Sequence, residues 1–175
     1  MAKDNKAQDA KTVSPEAYSQ LGVLIVEDTQ HMAVLLRSIL SGLGVRNVAS
    51  ARSGEDALTA LMRGNVNLVI MDDLMPPLDG LSVVRAIRTN DEDELSTVPV
   101  IYVTTQRERS AIIAARDAGV TEILSKPFSA QQLIARIETV LMRPRAIVRS
   151  AEFTGPDRRR REGKAILKRR DSDKS

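Results

Sequence analysis

Cysteine is absent from the 175-residue chain, histidine occurs once, at His31, and aromatic residues make up only 2% of the total. Without cysteine there is no disulfide and no thiolate to act as nucleophile or metal ligand. A lone histidine excludes a two-histidine metal site within one chain, so a metal ion, if bound, is held by oxygen. No apolar run approaches the ~20 residues that span a bilayer. Met1 to Gln20 is polar and lacks the apolar core of an export signal. The expected location is the cytoplasm.

What is present suits one globular core with tails: 42% of residues are apolar and 28% charged. The net charge of +3 hides an asymmetry. From Arg143 to Ser175 there are 12 Lys or Arg against 5 Asp or Glu, while the rest of the chain holds 14 against 18. An acidic body therefore carries a basic tail, which points either to a polyanionic or nucleotide partner or to a solvated, solubilising terminus. The expected division is a flexible arm over 1–20, a folded domain over 21–142 and an arginine-rich tail over 143–175.

The body is organised around Asn67 to Gly80. Leu68 to Met71 are too few for a helix and too continuously apolar for a half-exposed strand, so they read as a strand covered on both faces. Asp72 then stands at the carboxyl end of a central strand, where open α/β sheets place their ligand crevice. Beyond it, Met75-Pro-Pro77 and Asp79-Gly80 turn the chain away. Leu21 to Val26 is a similar strand ending in Glu27 and Asp28. Met32, Leu35, Leu36, Ile39, Leu40 and Leu43 mark the inward stripe of a helix.

Val45 to Ala51 predicts a second strand, and Ser53 caps a helix with Ala57, Leu58 and Leu61 inward. Leu81, Val84 and Ile87 mark a third helix, and Asp91 to Glu94 an exposed acidic loop. Val98 to Val103 predicts a fourth strand, Glu108 to Ala118 a fourth helix and Glu122 to Leu124 a fifth strand. Ser129 with Gln132 forms a capping box for a last helix that buries Leu133, Ile134, Ile137, Val140 and Leu141.

Five strands alternating with five helices predict an α/β fold, a doubly wound parallel sheet with helices on both faces. Its strand ends would gather Glu27, Asp28, Asp72, Thr104, Thr105 and Lys126 on one rim.

Leu24-Ile-Val-Glu-Asp28, Val69-Ile-Met-Asp-Asp-Leu-Met-Pro-Pro-Leu-Asp-Gly80, Val103-Thr104 and Ser125-Lys-Pro-Phe128, in that order and each at a strand end, closely resemble the CheY-like receiver domain of two-component response regulators. The resemblance covers residues 21 to about 142 and implies a flavodoxin-like fold. It implies that Asp72 accepts a phosphoryl group from a histidine kinase or phosphotransfer protein. Such a chain is not an enzyme beyond promoting its own phosphorylation and dephosphorylation.

The chemistry is consistent with that resemblance. Clustered acidic oxygens suit magnesium, which prefers octahedral oxygen ligation and keeps several waters. Asp28 and Asp72 fit direct ligands and Glu27 a water-mediated one, and the family pattern adds the backbone carbonyl of Leu74. Lys126 supplies an ammonium for phosphoryl oxygen, and Thr104 a hydroxyl. Each residue also has a plainer reading: Glu27 and Asp28 as caps of the following helix, Lys126 as a surface ion-pair partner, Thr104 as filler of a strand end. His31 is expected on the outer surface of its helix.

Two positions depart from the family's usual pattern. Ile123 stands where an aromatic residue is common, and Thr105 where a small alanine is usual, so the family's standard switch is not carried over. The Lys126-Pro127 bond is cis in the family.

After residue 142 too little chain remains for a winged-helix or helix-turn-helix domain, and no pattern of that kind is visible. The tail holds Arg143, Arg145, Arg149, then Phe153-Thr-Gly-Pro-Asp157, Arg158, Arg159, Arg160 and Arg161, and finally Lys168-Arg-Arg170. Following a receiver domain, this resembles the arginine-rich extension of the CheY-like cyclic-di-GMP effectors, the Cle family, whose members are associated with the flagellar motor. That likeness implies that cyclic di-GMP is a ligand and a motor switch protein a possible target.

Arginine can fork onto a phosphate or onto the O6/N7 edge of guanine, and Asp157 can accept from guanine N1 and N2. Such a tail is expected to be disordered alone and to fold around its ligand. Two other functions stand beside this one. One is a phosphate sink or shuttle with a solubilising tail. The other is a tail that binds nucleic acid by counterion release, against which stands the near-absence of stacking aromatics, Phe153 alone.

Overall fold

The computed structural model describes residues 13–150 and 153–157. In chain order the elements are α1 (Pro15–Ser19), β1 (Gly22–Val26), α2 (Gln30–Gly42), β2 (Asn47–Ala51), α3 (Gly54–Met62), β3 (Leu68–Asp72), β4 (Leu74–Met75), β5 (Leu78–Asp79), α4 (Gly80–Arg88), α5 (Asp93–Thr97), β6 (Val100–Thr104), α6 (Arg109–Ala118), β7 (Glu122–Ser125), α7 (Ala130–Met142), β8 (Ile147–Arg149) and β9 (Thr154–Pro156). Five strands form one parallel sheet in the order β2-β1-β3-β6-β7. The doubly wound fold expected from the sequence is the fold found.

Alternation along the strands divides the core in two. Val23, Ile25, Leu68, Ile70, Ile101, Val103 and Leu124 pack with Leu36 and Leu40 of α2 and Leu133, Ile137 and Val140 of α7. Leu24, Val26, Val69, Met71, Val100 and Tyr102 pack with α3, α4 and α6 through Ala57, Leu61, Val83, Val84, Ile87 and Ala115. The central strands β1, β3 and β6 are buried along their whole length, as their unbroken apolar runs require. The caps behave as expected: Ser53 accepts from Asp56 N, and Ser129 and Gln132 form the reciprocal box.

Several expectations need correction. Residues 13–20, read as part of a free arm, contain α1, and Val13, Ala17 and Tyr18 are buried against the α2/α7 side of the core. The Tyr18 hydroxyl donates to Glu138 Oε1 at 3.1 Å, and burial with that carboxylate nearby pushes the phenol up to about 12. Leu35, assigned to the inward stripe of α2, is 48% exposed because the buried face narrows to Leu36 and Leu40. The second strand begins at Asn47 rather than Val45, and the acidic loop gives way to α5 from Asp93.

The tail is corrected too. Its described part is not disordered: β8 and β9 pair antiparallel as a hairpin that packs on α5. Arg158 to Arg161 lie outside the described residues.

Candidate functional site

At the carboxyl ends of β1 and β3, carboxylate oxygens of Glu27, Asp28 and Asp72 all lie within 4.8 Å of one another. The placement comes from topology. β1 and β3 are adjacent and in register with Val26 opposite Met71, so the next residues along, Glu27 and Asp72, emerge side by side. Glu27 is 3% and Asp72 5% exposed, while Asp28 is half-buried.

From the far edge of the sheet β7 delivers Lys126, whose Nζ donates to Asp72 Oδ1 at 2.5 Å and lies 3.9 Å from Glu27 Oε2. Those contacts turn Lys126 inward, so it is no surface ion-pair partner. The Lys126-Pro127 bond is cis, as the resemblance implied, and so is Pro76-Pro77.

The electrostatics of this cluster are set by burial. Desolvation raises the pKa of Asp72, and Lys126 opposes it as hydrogen-bond donor and as cation. Glu27 is likewise raised by burial, against the lowering effect of the Thr29 N–H, with nearby Asp72 adding to the rise. Three carboxylates facing one another with one ammonium between them leave unbalanced negative charge. The donor set, hard oxygens only, fits a small divalent cation.

The helix-cap reading of the acidic pair does not hold in its simple form. Thr29 is the N-cap of α2 and makes no side-chain cap bond there, while Glu27 Oε1 accepts from Thr29 N at 2.9 Å. The Asp28 carboxylate accepts from the Thr29 hydroxyl, at 3.1 Å. Gly80 packs against the Asp72 backbone, since a Cβ there would lie 2.3 Å from the Asp72 carbonyl oxygen. Leu74 sits in the β4 bridge with its side chain 62% exposed. His31 is exposed on α2, as expected.

Thr104 is buried, but its hydroxyl is not turned toward Asp72. Oγ1 donates to Asp73 Oδ2 at 2.5 Å. Asp73, which the sequence reading passed over, is 3% exposed, and its other oxygen is buried without a hydrogen-bond partner among the described residues. The signal was in the sequence: a second carboxylate directly after a buried strand points to the opposite sheet face from the first.

Tyr102 was also missed. It pairs in register with Ile123, and the two line one cavity of about 290 Å³ between α4 and α6, together with Asp73, Thr104 and Arg85. An aromatic ring thus enters this region from β6 although β7 lacks one.

Of the tail residues, Arg145 pairs with buried Glu122 at 3.2 Å. Arg149 pairs with Asp93 at 2.7 Å and donates to Ser96 Oγ at 2.6 Å. Asp157 N donates to the Ala146 carbonyl at 2.7 Å. The Arg145 and Arg149 contacts fasten the hairpin to the body, the Asp157 contact joins its two ends, and among the described residues none gathers arginines around an open site.

Known proteins resemble this chain in sequence and in fold. The chain is 37% identical over 121 residues to the chemotaxis protein CheY of Pseudomonas aeruginosa, covering 69% of this chain and 96% of that one. Chemotaxis protein CheY4 of Vibrio cholerae superposes with a TM-score of 0.65 at 25% identity, over 70% of this chain and 99% of that one. The receiver domain of a sensor histidine kinase from Pseudomonas aeruginosa PAO1, solved with magnesium coordinated in its active-site cleft, superposes with a TM-score of 0.61 at 28% identity, over 67% and 94% of the two chains. The family model of the response regulator receiver domain matches residues 23–138, and the chain belongs to that family.

Proposed function

We propose that this receiver is a response regulator switched by phosphorylation of Asp72, with a histidine kinase or phosphotransfer protein as donor. The observation that carries the reading is the buried Asp72 carboxylate held between an acidic pair and the Lys126 ammonium at the strand ends. An Asp72 oxygen forms a bond to phosphorus as the P–N bond of a phosphohistidine breaks and the imidazole leaves. Lys126, already on that carboxylate, is within reach of the incoming phosphoryl oxygens, and Thr104 stands one strand away as a second donor.

Glu27, Asp28, Asp72 and the backbone carbonyl of Leu74 are the groups that would hold magnesium, which when bound offsets the negative charge shared by phosphoryl group and carboxylates. Burial of Glu27 and Asp72 keeps water from screening these interactions.

We further infer that the tail reads cyclic di-GMP through Arg145, Arg149, Asp157 and Arg158 to Arg161, and that the two inputs act on a protein target. The chemotaxis names of the relatives favour a flagellar motor component as that target. Arg145 and Arg149 already neutralise carboxylates of the body, so a ligand that recruits them exchanges one anion for another. The competing reading keeps phosphorylation but makes the chain a phosphate sink, with a tail that is a solubilising or nonspecific cation.

Incubation of the full chain with acetyl phosphate and magnesium tests the first part. Wild type is labelled, Asp72→Asn is not, and Asp28→Ala binds magnesium more weakly. Labelling of Asp72→Asn at the wild-type rate would exclude Asp72. Calorimetry of the full chain tests the second part: saturable binding of cyclic di-GMP, discrimination against GMP and loss when Arg158 to Arg161 become alanine support it. Equal weak binding of both nucleotides, abolished by moderate salt, would reduce the tail to a generic cation.

A further inference from the structure

β3 and β6 run side by side with Asp72 opposite Val103. Met71 and Tyr102 face α4 and α6, while Ile70 and Val103 face the other way. Continued by one residue, the alternation sends Asp72 to the α2/α7 face and both Asp73 and Thr104 to the α4/α6 face. The two carboxylates of the Asp72-Asp73 pair therefore serve different sides of the sheet.

On its side Asp73 engages Thr104 tightly. Thr104 Oγ1 donates to Asp73 Oδ2 at 2.5 Å. Thr105 N donates to the same carboxylate oxygen at 3.3 Å, and Gln106 N donates to Thr104 Oγ1 at 3.0 Å. A hydroxyl has one proton to give, and here it is committed. Asp73 itself is anchored, since its N–H donates to the Val103 carbonyl and its own carbonyl accepts from Gly80 N.

We propose that Asp73 is a latch on Thr104, a positioning residue whose buried carboxylate competes with a phosphoryl group on Asp72 for the one Thr104 hydroxyl proton; this rests on the phosphoacceptor reading above. Two consequences of burial give the competition weight. Asp73 Oδ1 already lacks a hydrogen-bond partner among the described residues, so removing the Thr104 donor from Oδ2 leaves the buried carboxylate, among those residues, with only the Thr105 N–H. Because the Asp73 backbone is tied on both sides, it is Thr104 that must move, and it must exchange a charged acceptor for another. Phosphorylation then produces a smaller displacement of Thr104 than it would above an apolar residue.

The test is a titration of the full chain with beryllofluoride, a phosphoryl analogue that adds to an aspartate carboxylate, in magnesium buffer, with bound fluoride counted by 19F NMR. Asp73→Leu removes the competitor and is expected to bind the analogue about tenfold tighter, which corresponds to about 1.4 kcal/mol. Asp73→Asn, whose amide oxygen still accepts from Thr104, gains less, and it carries the test if the leucine variant does not fold.

Either gain should disappear in a Thr104→Ala background and survive in Thr104→Ser, which keeps the hydroxyl. A purely structural role for Asp73 would move both backgrounds equally, and that result would overturn the latch. So would wild-type affinity in both Asp73 variants. If the wild-type chain binds no beryllofluoride at all, the phosphoacceptor reading fails and the latch with it.

Discussion

Asp72 and Lys126, 54 residues apart in the chain, meet at 2.5 Å between the Asp72 Oδ1 and Lys126 Nζ atoms, with Lys126 also 3.9 Å from Glu27. The ammonium is the one cation whose ion pair with these buried carboxylates the described residues show. Lys126→Met should therefore leave both carboxylates unopposed and remove a donor to the phosphoryl group. The expected outcome is a fall of about 10²-fold in the rate of acetyl phosphate labelling, in line with loss of one preorganised donor. Rates within twofold of wild type would show that Lys126 only neutralises charge at rest.

The same burial makes stability depend on pH with a definite sign. Asp72 and Glu27 have folded pKa values raised above their ordinary 3.8 and 4.5. The folded state therefore binds their protons more tightly than the unfolded chain. Their favourable contribution is complete below the ordinary values and is lost as pH rises through the raised ones. Asp72→Asn, which fixes a neutral group, should raise Tm at pH 7 without divalent cations by about 2–4 °C, the change that ~1 kcal/mol makes in a domain of this size. The gain should shrink toward pH 3.5. Calorimetry across that range checks it, and a constant Tm difference would mean that the charge of Asp72 is not the cause.

The fold was legible because its two signals are local and strong: unbroken apolar strands ending in carboxylates, and helices whose apolar period survives a count. The acidic cluster was legible for the same reason, since parallel strands in register bring their ends together. What escaped notice depends on partners distant in sequence. Asp73 became informative only once the register placed Thr104 beside it, and Tyr102 only once β6 was seen to pair with β7. Val13, Ala17 and Tyr18 are too few and too spread to show a period, and their burial comes from packing against the α2/α7 side of the core. In the tail, the pairing of Arg145 with Glu122 and of Arg149 with Asp93 was not legible for the same reason, since each joins residues distant in sequence.

Those two ion pairs should differ in worth. Arg149 pairs with an Asp93 side chain that is 82% exposed, whereas Arg145 pairs with a Glu122 side chain that is 6% exposed. Exposed pairs contribute about 0–1 kcal/mol, while removing a partner from a buried carboxylate costs more. Arg136 also reaches Glu122, at 3.3 Å, and limits the loss. Urea denaturation should give a cost of about 1–2 kcal/mol for Arg145→Ala and under about 1 kcal/mol for Arg149→Ala. A reversed order would show that the hairpin is held by the exposed pair.

The seat of the hairpin can be tested directly at Gly155. A Cβ on Gly155 would lie 2.9 Å from Gly119 Cα, a backbone atom that cannot yield. Gly119 is itself fixed at φ +97 as the C-cap of α6, and its carbonyl accepts from the buried Arg88 Nε at 2.9 Å. A larger residue at 155 therefore has to lift β9 off the body. The hairpin forms a sheet of its own, paired with no strand of the main sheet, and a two-stranded hairpin alone is at best marginal in water. Gly155→Val is expected to abolish hydrogen-exchange protection over 147–149 and 154–155 while amides of β1, β3 and β6 keep theirs. Retained protection in the hairpin would show that its own pairing suffices. Loss of protection across the main sheet would show instead that the hairpin is part of the folding unit.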